Sequence, residues 1–433
     1  MKLLPAKPLH AAAFCLALAW SALPLAGVAQ DNAMKPTVAG NGGIESALVA
    51  SLVEVIESRV DDALKSIDTI LVKNPNFRLA QMIKGDLLLA RMQPISTLGN
   101  TSKATSETLD DMRQEARVRL DRYLNSPPFH LAPRHIVVMS PEQPYALVID
   151  TTRSRLFVYQ NDKGEPRYVT DYYISSGKNG GDKLREGDQK TPVGVYQIVA
   201  NLSKSMLTDF YGPSAFPLSY PNEWDRREGR DGYGIWLHGT PSDTYSRPPR
   251  ASNGCVVLTN EDLLDVAKYV SIGTTPVVIS NRLDWVEPDE WRAQREEILS
   301  AIEQWRHDWE SLDVDRYLAN YGKTFNAERK NLAAWSAQKH AVNAGKTFIK
   351  VAISNLSVYS YPGLDNMVVV DFDQDYKSNN LNNQVKKRQY WLHDDNRWQI
   401  VYEGSPEVLH QTVARKHPAN KRASAKRTVT RGS

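Results

Sequence analysis

Cysteine is nearly absent from the chain: its 433 residues include two, Cys15 and Cys255. Two thiols cannot build a disulfide framework, and with only scattered histidines no cluster has metal-ligand spacing, so neither a disulfide-stapled scaffold nor a structural zinc is expected. No cofactor is expected either, because Gly177, Gly180 and Gly181 with Lys178 and Lys183 lack the Walker spacing of a phosphate cradle and read instead as a flexible hairpin loop or lid. Long apolar runs are missing beyond the N-terminus, which excludes an integral membrane protein built on later spans. Acidic residues stop at Glu407, while Arg415, Lys416, Lys421, Arg422, Lys426, Arg427 and Arg431 accumulate after it. The formal net charge of +3 therefore hides an asymmetry, and residues 406–433 read as a basic disordered tail without the apolar content to fold.

The N-terminus carries Lys2 and Lys7, an apolar run from Ala11 to Leu25, and the small residues Gly27-Val28-Ala29. This pattern predicts a cleaved secretory signal over 1–29 and a periplasmic location. Export removes Cys15, makes nucleic acid an unexpected partner for the basic tail, and leaves Cys255 as the one retained thiol. In an oxidising compartment such a thiol is expected to be reactive, to pair between molecules, or to be buried as a small inert hydrophobe.

Three blocks follow. Over 43–126 apolar residues recur at helical spacing (Ala47, Leu48, Leu52, Val55; Ala63, Leu64, Ile67, Ile70), with Asn74-Pro75 as a break, which predicts a helical N-terminal domain. Pro127, Pro128, Pro133 and Pro141 mark a linker over 127–143. The period then changes to two, with strands expected at Tyr145–Asp150, Arg155–Gln160, Tyr168–Ser175, Val193–Val199, Gly234–His238 and Thr275–Ser280, and one helix from Asn260 to Val270. A third block, 288–405, opens with a helix to about Leu312 and closes with four strands, Phe348–Leu356, Asn366–Tyr376, Gln384–His393 and Trp398–Glu403. Trp305, Trp309 and Tyr317 fall at helical spacing and read as core.

The chemistry gathers in the middle block. Ile235-Trp236-Leu237-His238-Gly239-Thr240 is an apolar strand ending in a histidine and a glycine, and Ser252-Asn253-Gly254-Cys255 places the thiol at a loop-to-strand junction. A thiol attacks a carbonyl as thiolate, and an adjacent imidazole can take its proton and later deliver it to a departing amine. The backbone amides of Asn253, Gly254 and Cys255 are candidates to hold an oxyanion. Arg250, nearest the thiol among Asp243, Tyr245, Arg247 and Arg250, is the candidate for a substrate carboxylate, with Tyr233 and Trp236 as further candidate substrate contacts.

His-Gly followed by Ser-x-Gly-Cys, preceded by Thr191-Pro192-Val193-Gly194, resembles the L,D-transpeptidase catalytic-domain family over 144–282. The resemblance implies Cys255 as acylated nucleophile, His238 as general base and acid, Gly239 as the residue whose carbonyl orients the imidazole, and Ser252 as the shaper of the turn. Asn253 stands where the family usually has His or Arg, and Val257 where many members carry Arg, which puts acceptor binding in question. The third block, with Val369-Val370-Asp371-Phe372-Asp373-Gln374-Asp375-Tyr376 and Trp398-Gln399-Ile400-Val401-Tyr402-Glu403, resembles the nuclear-transport-factor-like cone fold. The implied fold class is α+β: a β-rich, sandwich-like catalytic domain between a helical segment and an α+β cone domain. The implied substrate is a peptidoglycan stem peptide, cleaved between meso-diaminopimelate and D-alanine through a thioester. The acyl group then passes to an amine (transpeptidation) or to water (L,D-carboxypeptidase trimming, as in cell-shape enzymes), and other family members detach a lipoprotein from the wall. A non-catalytic wall-binding scaffold is the alternative of a different class, and the cone domain is the expected site for other wall-remodelling proteins or wall fragments.

Overall fold

The computed structural model describes residues 43–406 apart from 96, 102, 103, 127, 328 and 329. The expected signal segment, with Cys15, and the expected tail from residue 407 onward lie outside the described residues.

The described residues begin with four helices: α1 (Ile44–Ile56), α2 (Val60–Lys73), α3 (Arg78–Ala90) and α4 (Ser106–Leu124). Leu48, Leu52, Ile67, Ile70, Leu79 and Ile83 recur at three- and four-residue spacing and meet in one small core. Helix α2 carries Asp61 and Asp62 in its first turn and Lys73 in its last, as the helix dipole favours, and stops at Asn74 before Pro75. Thr105 caps α4 by accepting from the Thr108 N–H.

The proline-marked segment differs from the expectation of a linker. Strand β1 (Ala132–Pro133) pairs with β14 (Trp285–Val286), and β2 (Ile136–Val138) joins the C-terminal sheet beside β17 (Ile349–Ser360). Ile136 and Val137 are buried, so apolar burial and sheet pairing override the local signal of the flanking prolines.

The middle block folds as two facing sheets. One has the order β5-β4-β3-β13-β7, from Tyr145–Asp150 (β3), Arg155–Asp162 (β4), Glu165–Tyr173 (β5), Gly194–Gln197 (β7) and Pro276–Ser280 (β13). The other has the order β12-β10-β9-β8, from Leu202–Ser203 (β8), Ser214–Pro217 (β9), Trp236–His238 (β10) and Val256–Val257 (β12). Leu147, Ile149, Leu156 and Val158 of the first face Phe216, Leu237 and Val256 of the second across a shared core. A small parallel pair, β6 (Ser176–Gly177) with β11 (Arg250–Ser252), lies beside them.

The C-terminal block packs helix α7 (Pro288–Glu310) on a seven-stranded sheet through Ile298, Ile302, Trp305 and Trp309. Trp305, Trp309 and Tyr317 are buried as expected. Its strands β17, β18 (Met367–Ser378), β19 (Asn382–Asp394) and β20 (Arg397–Gly404) run antiparallel in sequence order. Tyr359, Val369 and Tyr390 of this sheet pack on Ala146, Val148, Phe157 and Val278, the outer face of the five-stranded sheet. Strand β3 is therefore buried on both faces, and its unbroken apolar run, Ala146 to Ile149, follows from that.

Charged side chains also cross the boundaries between blocks. Arg388 bonds both Asp371 of its own sheet and Glu223 of the middle block, at 2.7 and 3.0 Å. Arg119 of α4 joins Glu115 and Glu45, and Glu45 in turn accepts from Arg155 of β4 at 2.9 Å.

Candidate active site

Strand β10 runs parallel to β12, with Leu237 beside Val256 and His238 beside Val257. Carrying that register back one residue sets Cys255 beside Trp236. Since alternate residues of a strand share a face, Trp236, His238, Cys255 and Val257 all point to one side. Cys255 and His238 are thus diagonal neighbours across adjacent strands, and the ring of Tyr211, which shares the Leu202, Ala215 and Trp236 cluster with Cys255, lies 5.0 Å from the imidazole centroid.

Backbone carbonyls and amides fix this corner. The imidazole Nδ1 lies 2.7 Å from the Gly239 carbonyl oxygen, which can only accept; Nδ1 therefore carries the proton and Nε2 is left as the base. Gly239 is required by crowding: a Cβ there would meet Asn260 Oδ1 at 2.1 Å, and that oxygen is already accepting from the Thr240 N–H. On the other strand the thiol, partly buried, donates to the Gly234 carbonyl at 3.4 Å and accepts from the Trp236 N–H. Those partners are Gly234, just before β10, and Trp236, its first residue.

Burial sets the protonation of both groups. It lowers the His238 pKa to about 4, against the raising bond to Gly239, with the Arg247 charge lowering it further. It pushes the Cys255 thiol up to about 11, despite the Trp236 N–H and the charges of Arg247 and Lys183. At neutral pH the pair is thiol and neutral imidazole, not an ion pair.

The turn before the thiol is held from three directions. Ser252 Oγ donates to the Cys255 carbonyl at 2.6 Å and accepts from the Gly254 N–H at 3.0 Å. That bond engages one of the three amides expected at an oxyanion site. Thr191, from the Thr-Pro-x-Gly segment, donates to the Gly254 carbonyl and accepts from the Gly177 N–H. Gly254 itself has φ +122°, and a Cβ would approach the Lys190 carbonyl to 2.6 Å. Asn253 is exposed and accepts from Gln189 at 3.2 Å.

The remaining candidates scatter. Trp236 is buried, packed on Leu202, Ala215 and Tyr211, in the cluster that Cys255 also joins. Tyr233 is exposed, between Gly232 and Gly234. Arg250 is exposed at the edge of the small parallel pair, and Arg247 is half-buried, with the Cys255 charge bearing on it. Asp188 accepts from the Leu184, Arg185 and Lys190 N–H groups and from buried Lys183, and these bonds outweigh burial to hold its carboxyl down at about 2. Lys183, Asp188, Tyr211 and Phe210 were not legible as site residues, because long-range packing alone brings them there.

Residues 144–279 match the L,D-transpeptidase catalytic domain. The chain carries an L,D-transpeptidase catalytic domain. Behind the L,D-transpeptidase domain, residues 297–404 match the Cds6 C-terminal NTF2-like domain. YafK of Escherichia coli, which bears the name of an L,D-transpeptidase, is 29% identical over 110 residues, 25% of this chain. The chain spans only 40% of that relative's length. Among solved structures, Bdellovibrio bacteriovorus Bd1075 is 28% identical with a TM-score of 0.57, covering 64% of this chain and 99% of its own. Campylobacter jejuni Pgp2, described as a helical cell shape determining protein, is 26% identical with a TM-score of 0.54, covering 63% and 95%. Both of those structures thus align to this chain over nearly their whole length.

Proposed function

We propose that the protein is a peptidoglycan-modifying cysteine acyltransferase of the periplasm, with Cys255 as nucleophile and His238 as base and acid. The observation that carries this reading is the strand register, which sets the thiol and an imidazole of fixed tautomer on one face beside the bend at Gly254. Nε2 takes the Sγ proton as sulfur attacks the carbonyl of meso-diaminopimelate in a tetrapeptide stem. The tetrahedral oxyanion is held by the Cys255 N–H, since the Gly254 N–H is engaged by Ser252. Collapse breaks the C–N bond, Nε2–H protonates the departing amine, D-alanine leaves, and a thioester remains on Cys255. An incoming amine then gives its proton to Nε2, attacks the thioester and expels the thiol, which forms a cross-link.

A second reading has water as the acceptor, so that tetrapeptides are trimmed to tripeptides. It is favoured by the likeness to Pgp2 across both domains, since that protein is described as determining helical cell shape. An open cavity of about 480 Å³ between the two domains, lined by Gln143, Gln197, Asn355, Asp371, Asp373 and Lys386, is a candidate seat for a wall fragment. Incubation of the protein with purified tetrapeptide muropeptides, read by mass spectrometry, tests both. Dimers joined through two diaminopimelates support cross-linking, tripeptide monomers alone support trimming, and unchanged tetrapeptide contradicts both.

A further inference from the structure

Three cations approach the candidate site, and they differ in what neutralises them. Lys183 is buried and paired with Asp188 at 2.7 Å. Arg250 is exposed at a sheet edge. Arg247 is half-buried, and among the described residues no carboxylate pairs with it; its guanidinium carbon lies 4.7 Å from the centroid of the Phe210 ring. That ring is 5.9 Å from the imidazole of His238. The charge of Arg247 also bears on both His238 and Cys255.

The segment that carries Arg247 is anchored from two sides. Tyr173 of β5 donates to the Arg247 carbonyl at 2.8 Å. The Ser246 hydroxyl donates to Glu115 of α4 at 2.7 Å, and the Tyr245 ring packs on Phe77, 4.5 Å between centroids, in the core of the helical block. The helical block therefore anchors the segment that carries this guanidinium, which stacks on the Phe210 ring that neighbours the imidazole. A partly desolvated guanidinium with no protein counter-ion, fixed in place, is built for an anionic ligand.

The position of Arg247 says which anion. The imidazole hands its proton to the departing amine, so the His238 side of the site is the leaving-group side. When a single amino acid leaves, its α-carboxylate carbon is two bonds from that amine nitrogen. Val257 is buried and supplies no charge two residues beyond the thiol. We infer that Arg247 binds the α-carboxylate of the terminal amino acid released from the substrate. This rests on the reaction proposed above.

The test uses the full chain carrying Cys255→Ala, which cannot turn over. Calorimetry measures its affinity for a disaccharide tetrapeptide ending in D-alanine and for the same compound ending in a carboxamide. The acid should bind about tenfold or more tightly than the amide, as expected for a charge-assisted pair. Adding Arg247→Gln should bring the two to near parity, and Arg247→Lys should restore part of the preference, with thermal melting confirming that each variant is folded. An equal preference with and without Arg247, no preference in the parent, or no binding of either compound overturns the inference. D-alanine release by the unmodified protein is measured separately. Release without an Arg247-dependent preference defeats this inference alone, whereas a preference without release defeats the proposed reaction and leaves Arg247 as a carboxylate site.

Discussion

Burial drives Cys255 and His238 in opposite directions, the thiol up to about 11 and the imidazole down to about 4. The resting site is therefore neutral, and the thiolate has to form as the proton moves to Nε2 during attack. Alkylation of Cys255 by iodoacetamide should be slow at neutral pH and should climb steadily toward about pH 11. A rate that levels off below pH 8 would mean a thiolate–imidazolium pair instead. The histidine also carries a stability signature. Its folded pKa lies below the ordinary 6.5, so the unfolded chain binds its proton first, and stability present above 6.5 is lost as the pH falls toward 4. At about 1.4 kcal/mol per unit the loss is on the order of 3 kcal/mol. Urea titrations across this window should show that slope in the parent and a flatter one in His238→Gln.

Elements place these residues through a few backbone contacts. The Thr191 hydroxyl bonds both the thiol turn and the Gly177 loop, so Thr191→Val should cost about 1–3 kcal/mol in urea denaturation by leaving buried groups unpaired. It should also lower turnover, because the Gly254 carbonyl is released. The motif residues were legible from sequence because the requirement is local: glycine at 239 and 254, a hydroxyl at 252, an apolar strand before the histidine. Other features were not. The strand expected from Gly234 begins at Trp236, since Gly234 takes φ +73° and bends out of the pleat. In the C-terminal block, the strand Tyr321–Ala327 and the helix Leu332–Asn343 escaped notice. That helix buries only Asn343 fully, so it shows no apolar stripe to read.

Across the whole molecule the three blocks interlock, and this was the least legible level. Apolar runs in β3 and β13 announce burial but not that the partner is the C-terminal sheet, more than 70 residues beyond β13 in Tyr359 and beyond. The ionic chain from Arg119 through Glu45 to Arg155 likewise depends on residues more than 70 positions apart. Arg119→Met should destabilise the protein by about 3–5 kcal/mol, because it strands Glu115 in a buried site and removes one of two partners of Glu45. Chemical denaturation followed by tryptophan fluorescence reads that loss. The central claim, that the sulfur of residue 255 carries the acyl group, is tested most directly by intact-protein mass spectrometry during turnover of a tetrapeptide stem. The account predicts a tripeptidyl adduct that maps to Cys255, is released by hydroxylamine and is missing from Cys255→Ala. D-alanine release that persists in Cys255→Ala, or an adduct on any other residue, would contradict it.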